Sequence, residues 1–159
     1  DKAQDYLQEL SRVLRYTLQD NDSHSVTLAE EMDFVHAYLY LLKMRYEENL
    51  NFDIRISSDA LQKKLPPMAV QMLVENALKH NISTKKSPLI VHISIGNEGI
   101  TVRNNLQLRN YVTSNGAGLK NLQRQYALYG TLVEILKDEK EFVVKLPFVG
   151  GDVNRLNTI

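Results

Sequence analysis

Near the middle of the chain, Glu75, Asn76, Lys79 and His80 stand close enough to share one turn of a helix. A carboxylate such as Glu75 can accept a proton as a general base. An amide oxygen such as that of Asn76 suits Mg2+, which draws few ligands from protein and takes the rest from phosphates and water. Lys79 can neutralise phosphate as a point charge. His80 can hydrogen-bond a phosphate or act as a partner for the dipole at a helix end. Glu75/Lys79 and Asn76/His80 are both i, i+4 pairs, so on a helix their tips converge. The same spacing also describes a solvated helix face with an ordinary Glu75–Lys79 ion pair. A second group is Gly116-Ala117-Gly118-Leu119-Lys120-Asn121. Glycines ahead of a helix let the backbone approach a ligand, and the helix N-terminus offers N–H groups to a phosphate. No Gly-Lys-Ser/Thr follows, so this is not a P-loop, and loops also use glycine simply to turn. Asn104-Asn105 offers an acceptor and a donor that could meet a base edge, or it forms a turn.

These residues need elements to hold them. No residue from Met68 to Lys79 breaks a helix, and Val70, Leu73, Val74, Ala77 and Leu78 fall on the arc opposite the polar group. Pro66 and Pro67 suit the first turn of that helix, where no N–H is needed. Upstream, Phe52, Ile54 and Ile56 alternate with Asp53 and Arg55 as a strand does. Downstream, Leu89, Val91, Ile93 and Ile95 form a second alternating strand, Gly96-Asn97-Glu98-Gly99 a hairpin turn, and Ile100-Thr101-Val102-Arg103 a third strand. Leu119, Leu122, Tyr126 and Tyr129 have helical spacing, closed by Gly130. Residues 131–137 and 142–146 read as two more strands.

Ahead of all this lie two helices. Leu7, Leu10, Leu14 and Leu18 mark the first, which breaks at Asp20-Asn21-Asp22-Ser23. Thr27 and Glu30 form a capping box for the second, whose stripe is Leu28, Met32, Val35, Leu39, Leu42 and Tyr46. The expected organisation is a helical hairpin over 1–48, an α+β domain over 49–149 and a polar tail over 150–159. The domain is expected to be a two-layer α/β sandwich, a mixed sheet of about five strands with helices on one face.

The 159 residues are 43% hydrophobic and 24% charged, a globular composition. A formal net charge of zero argues against a surface built for nucleic acid or anionic lipid. The chain has no cysteine, which excludes a disulfide framework and a thiolate metal site. Apolar runs are too short to span a membrane, and no signal peptide is expected. The start at Asp1, without methionine, carries the expectation of a piece of a longer protein.

Together these motifs resemble the GHKL ATPases, and within them the LytS-like branch of bacterial sensor histidine kinases. Glu75 to His80 is similar to the N-box of that family, and its setting after Leu65-Pro66-Pro67 and Gln71 is similar to that branch. Gly116 to Asn121 resembles the Gly-rich lid box. The hairpin carries further marks in Leu10-Ser11, Leu14-Arg15-Tyr16, Leu28-Ala29-Glu30-Glu31, Tyr38-Leu39 and Arg45-Tyr46. The resemblance runs from the first residues to about Phe148.

It implies a Bergerat-type fold binding ATP and Mg2+. Asn76 would hold the metal, Glu75 would act as or orient the base, and Lys79 and His80 would lie near the phosphates. Asn104 would meet the adenine. The segment 104–116 would be the lid, with Gly116, Gly118, Leu119 and Asn121 among the nucleotide-binding residues. The implied reaction moves the γ-phosphoryl of ATP to a histidine and then to an aspartate of a response regulator, in a homodimeric parent. That parent would sit in the bacterial inner membrane with this part in the cytoplasm.

Two departures stand out. Asn104 occupies the place of the family's adenine-reading aspartate, and the glycines that should follow are absent. The family's Pro-His-Phe-type acceptor box is also absent; His24 lies in a polar turn and His92 in a strand, which leaves His36 on the second helix as the one candidate within the chain, and the acceptor is expected upstream, outside this chain. The alternative is a degenerate GHKL domain that serves dimerisation or docking without kinase activity. A chaperone-like or mismatch-repair GHKL ATPase fits less well, because the lid is short.

Overall fold

The computed structural model describes residues 4–8, 10, 25–110 and 117–150. Residues 4–8 and 10 are helical, and Leu7 is buried. The remainder of the expected first helix and the break after it lie outside the described residues. From Ser25 onward the chain runs through β1 (Val26–Thr27), α1 (Leu28–Tyr46), β2 (Leu50–Arg55), β3 (Lys64–Leu65), α2 (Ala69–His80), β4 (Leu89–Ile95), β5 (Gly99–Asn105), α3 (Ala117–Leu128), β6 (Glu134–Lys137) and β7 (Glu141–Pro147).

β2, β4, β5, β7 and β6 lie side by side in that order as one five-stranded sheet. β2 pairs with β4 in parallel, and every other pairing is antiparallel, so the sheet is mixed as expected. Parallel neighbours need a crossover, and here α2 supplies it. α2 packs on β4 and β5 and against α3. Alternation is clean where one face is buried. Leu89, Val91 and Ile93 of β4 and Ile100 and Val102 of β5 are buried. The opposite face is polar: Asp53, His92 and Arg103 stand in one row across β2, β4 and β5. There the Asp53 carboxyl is held below its usual range, first by a hydrogen bond from Arg55 and then by His92.

α1 forms as its pattern demands. The Thr27 hydroxyl accepts from Glu30 N at 3.2 Å, satisfying one orphan donor of the first turn. Leu28, Met32, Val35, Leu39 and Leu42 are buried and belong to the same core as the sheet's inner residues. The proposed boundary at residues 48–49 thus falls between two elements that share one core.

The start of α2 differs from expectation. Pro66 and Pro67 precede the helix, and Met68 at its N-cap has φ 67°, in the left-handed region. Met68 offers no side-chain cap. The cap comes from Glu31 of α1. Its Oε1 accepts from Met68 N at 2.9 Å, and its Oε2 accepts from Val70 N at 2.9 Å and Gln71 N at 3.5 Å. Glu31 is only 3% exposed. Burial raises its pKa from the ordinary 4.5 to about 7, against the opposing pull of those three N–H groups. The two-residue strands β1 and β3 pair antiparallel, and Leu28 N and Ala29 N donate to Lys63 O and Leu61 O, so α1 starts beside the chain that leads into α2.

Two outcomes follow from this packing. A Cβ on Gly99 would sit 2.2 Å from Leu146 O, backbone against side chain with nowhere to yield. Gly99→Ala should therefore lower stability by roughly 1–3 kcal/mol in urea unfolding, as overpacking does. Glu31 holds its proton more tightly when folded than unfolded. Between pH 4.5 and about 7 the folded chain carries the extra proton, so this group's contribution to stability falls as pH rises through that window. Melting curves of Glu31→Gln across the same window should show a flatter slope than wild type; an unchanged slope would show that Glu31 titrates normally.

Candidate functional site

α2 is a 12-residue helix with one buried side and one polar side. Ala69, Val70, Gln71, Leu73, Val74, Ala77 and Leu78 are buried. Glu75, Asn76 and His80 are half-buried and Lys79 is exposed, so the period-derived polar face is present. On that face Glu75 Oε2 accepts from Gln71 Nε2 at 3.1 Å, one turn back along the helix. Gln71 is wholly buried, so its amide is a fixed donor beneath the Glu75 carboxylate.

The C-terminal end of α2 is sewn to the segment after β5. Asn81 is 2% exposed; its Nδ2 donates to Ala77 O at 2.9 Å and its Oδ1 accepts from Gln107 N at 2.8 Å. Ile82 N donates to Gln107 O at 2.8 Å and Arg109 N to His80 O at 3.0 Å. Gln107 Nε2 donates to both Ile82 O and Ser87 O at 2.9 Å. The root of the expected lid is therefore anchored directly beside His80. Asn81 and Gln107 were missed in the sequence, where Asn after a helix reads as a simple stop signal.

The His80 imidazole is held below its usual pKa, first by burial and then by the charges of Lys79 and Lys137. Both effects favour the neutral ring, which can donate through one nitrogen and accept through the other. Lys137, at the end of β6, is a second cation near this turn that sequence order alone did not bring there.

Asn104 and Asn105 divide their work. Asn105 Oδ1 accepts from Ile90 N at 2.8 Å and its Nδ2 donates to Pro88 O at 3.1 Å, which staples the end of β5 to the start of β4. Asn104 is 4% exposed, and its Nδ2 donates to Asn105 O at 2.8 Å. That bond orients the amide and uses one of the two N–H donors of its NH2 group.

At the other side of the site, Gly118 lies in the first turn of α3, where a Cβ would stand 3.7 Å from Met72 Cε. Met72 is one turn before Asn76 on α2, so α3 begins alongside the polar turn. The contact is an ordinary one, and packing alone does not demand glycine there. Leu119 is half-buried against the core, Asn121 is exposed, and Leu122 and Tyr126 are buried. Gly116 and the lid residues 111–116 lie outside the described residues.

Among the described residues no cluster of three His, Cys, Asp or Glu side chains could hold a metal ion. The donor set at the α2 turn is one amide, one carboxylate, one imidazole and one ammonium. It fits a Mg2+ ion that takes a single protein ligand and completes its shell with phosphate and water.

Comparison with known proteins points the same way. A family described as histidine kinase matches residues 1–50. The sensor protein kinase HptS of Staphylococcus aureus strain USA300 is 30% identical over 124 residues, which is 78% of this chain and 22% of HptS. HptS of strain NCTC 8325 matches to the same extent. The chain thus spans about a fifth of the length of these curated relatives. Among solved structures, the cytoplasmic segment of histidine kinase QseC superposes with a TM-score of 0.54 at 16% identity, covering 89% of this chain and 95% of that one. The catalytic domain of histidine kinase ThkA gives 0.53 at 16% identity, covering 78% and 95%. The two superpositions concern the fold, and the family match and curated relatives concern descent. On these grounds the chain belongs to the histidine kinase family.

Proposed function

We propose that this chain binds Mg-ATP and donates the γ-phosphoryl group to a histidine outside the residues present here, as the catalytic part of a two-component sensor kinase. The observation that carries this reading is the convergence at one turn of α2: Glu75 and Asn76 half-buried there, Gly118 alongside, and the anchored lid root at His80. Asn76 would hold Mg2+ through its amide oxygen. The metal, when bound, supplies neutralisation of phosphate charge. Lys79 adds a point charge, and neutral His80 can donate an N–H to a phosphate oxygen. The Asn104 carbonyl would accept from the adenine amino group, with the amide oriented by the bond from Nδ2 to Asn105 O. Gly118, Leu119 and Asn121 would line the phosphate side from the start of α3.

In the transfer step, an imidazole nitrogen attacks the γ-phosphorus and the bond to the β–γ bridging oxygen breaks, releasing ADP. Glu75 takes the imidazole proton, with Gln71 fixing its Oε2. Positioning and charge neutralisation carry most of such catalysis. A response-regulator aspartate would then receive the group.

The partner reading extends to the helical region. Tyr40 and Met44, one turn apart on α1, are 69% and 63% exposed. Such apolar groups suit a second copy of the chain, in keeping with a homodimeric parent. Among the described residues no helix is long and apolar enough to cross a membrane. The anchor in the inner membrane, with this part in the cytoplasm, is proposed for the parent.

Calorimetry should show ATP binding that tightens with Mg2+. Asn76→Ala should weaken Mg-ATP binding by about tenfold, the scale of one lost interaction with a charged group, while metal-free ATP changes little. A folded chain that gives no heat at millimolar Mg-ATP would leave the docking-module reading in its place. Neither His36, on α1, nor His92, engaged with Asp53, sits in a Pro-His-Phe-type box. The chain alone should therefore incorporate no label from γ-labelled ATP; incorporation would move the acceptor into these residues.

A further inference from the structure

We propose that Glu31 is a positioning residue for the nucleotide site: from α1 it grips the N-terminus of α2 and so fixes where Glu75 and Asn76 stand. The inference rests on the reading of α2 as the nucleotide-binding helix. Three observations support it.

The first is that the grip is long-range and takes three N–H groups at once. Glu31 lies 37 to 40 positions before its partners and takes the N–H groups of Met68, Val70 and Gln71. A helix leaves its first N–H groups without intrahelical partners. The N-cap residue Met68 provides none of the missing acceptors. Glu31 is thus the side chain that closes this end. The three N–H groups and the helix dipole offset part of the cost of its burial, and among the described ion pairs Glu31 has no cation. From α3 the Tyr126 hydroxyl faces it and donates to Pro147 O.

The second is a short relay. Gln71 gives its backbone N–H to Glu31 and its side-chain Nε2 to Glu75 Oε2 at 3.1 Å. Two hydrogen bonds through one buried residue therefore connect Glu31 to the proposed base. Asn76 follows Val70 by six residues, about 9 Å along the same helix, and a stiff three-turn rod passes on any axial shift at its start.

The third is the placement of α1. Its own first N–H groups are tied to Lys63 O and Leu61 O, on the segment that leads into α2. Its outer side carries the exposed Tyr40 and Met44. A shift of α1 against its neighbours would be transmitted to α2 through a carboxylate that cannot lengthen its reach.

Two measurements on this chain test the proposal, with Glu31→Gln and Glu31→Asp as variants. Glu31→Gln keeps the shape and removes the charge. Glu31→Asp keeps the charge and shortens the arm by one methylene, and serves if the first variant does not fold. Amide hydrogen exchange, without nucleotide, should accelerate in the variants along α2 as far as Glu75 and Asn76. Acceleration confined to residues 69–72 would overturn the proposal. Calorimetry should show Mg-ATP affinity reduced by about tenfold in Glu31→Gln, metal-free ATP by less than about twofold, and no further loss when Glu31→Gln is added to Asn76→Ala. An equal loss with and without Mg2+, or additive losses in the double variant, would assign Glu31 a merely structural role. Wild type that does not bind Mg-ATP while exchange still spreads to Asn76 would sink the function and keep the coupling. Wild type that binds while the variants match it would sink the coupling alone.

Discussion

The Glu31 carboxylate at the start of α2 is the contact on which the arrangement of the site depends. Removing a carboxylate from water is costly. Three backbone N–H groups and a helix dipole offset part of that cost, and the balance leaves the group titrating near neutrality. The opposite end of α2 is held just as deliberately, by Asn81 bridging Ala77 O and Gln107 N. A helix clamped at both ends by side chains that span other elements has little freedom to slide or rotate. Its polar turn is presented to solvent as a fixed constellation, a requirement for positioning a phosphate chain.

Much of this was legible in the sequence. The faces of α2, the alternation in β4 and β5, the Gly96–Gly99 turn and the α1 stripe all appear as periodic patterns, because each element buries one face. The Thr27 cap was legible because it is local. The true start of α2 was not. A proline pair suggested a helix beginning at Pro66, but the deciding acceptor, Glu31, lies 37 positions from Met68 in sequence. β1 and β3 were equally invisible, as two residues carry no period.

Within the site, grouping Glu75, Asn76, Lys79 and His80 needed only helical geometry. The Gln71–Glu75 contact did not follow from it, because Gln71 and Lys79 are both one turn away. Tertiary packing set that contact by burying Gln71. The two asparagines at 104 and 105 read alike in sequence, yet their side chains point to different tasks. One staples two strands, and the other donates to the backbone carbonyl of its neighbour.

Electrostatics shows a similar contrast between total and local. A net charge of zero hides Lys79 and Lys137 near His80, whose pKa is lowered first by burial and then by those two charges. The outer sheet face spends its charges differently, in exposed pairs such as Arg103–Glu141 and Lys145–Glu134 that add little stability. Those pairs keep that face wet.

The two margins of the sheet carry a further consequence. β2 and β6 are its outer strands. Unpaired strand margins invite another chain to add on, and proteins blunt them with charge, brevity or cover. β6 has only four residues and is bracketed by exposed Glu134 and Lys137. On β2, Lys43 of α1 reaches across to Leu50 O and Asn51 Oδ1, while Arg55 stands exposed farther along. Strand addition is thus discouraged on both sides, by charge, brevity and the cover of a lysine from α1.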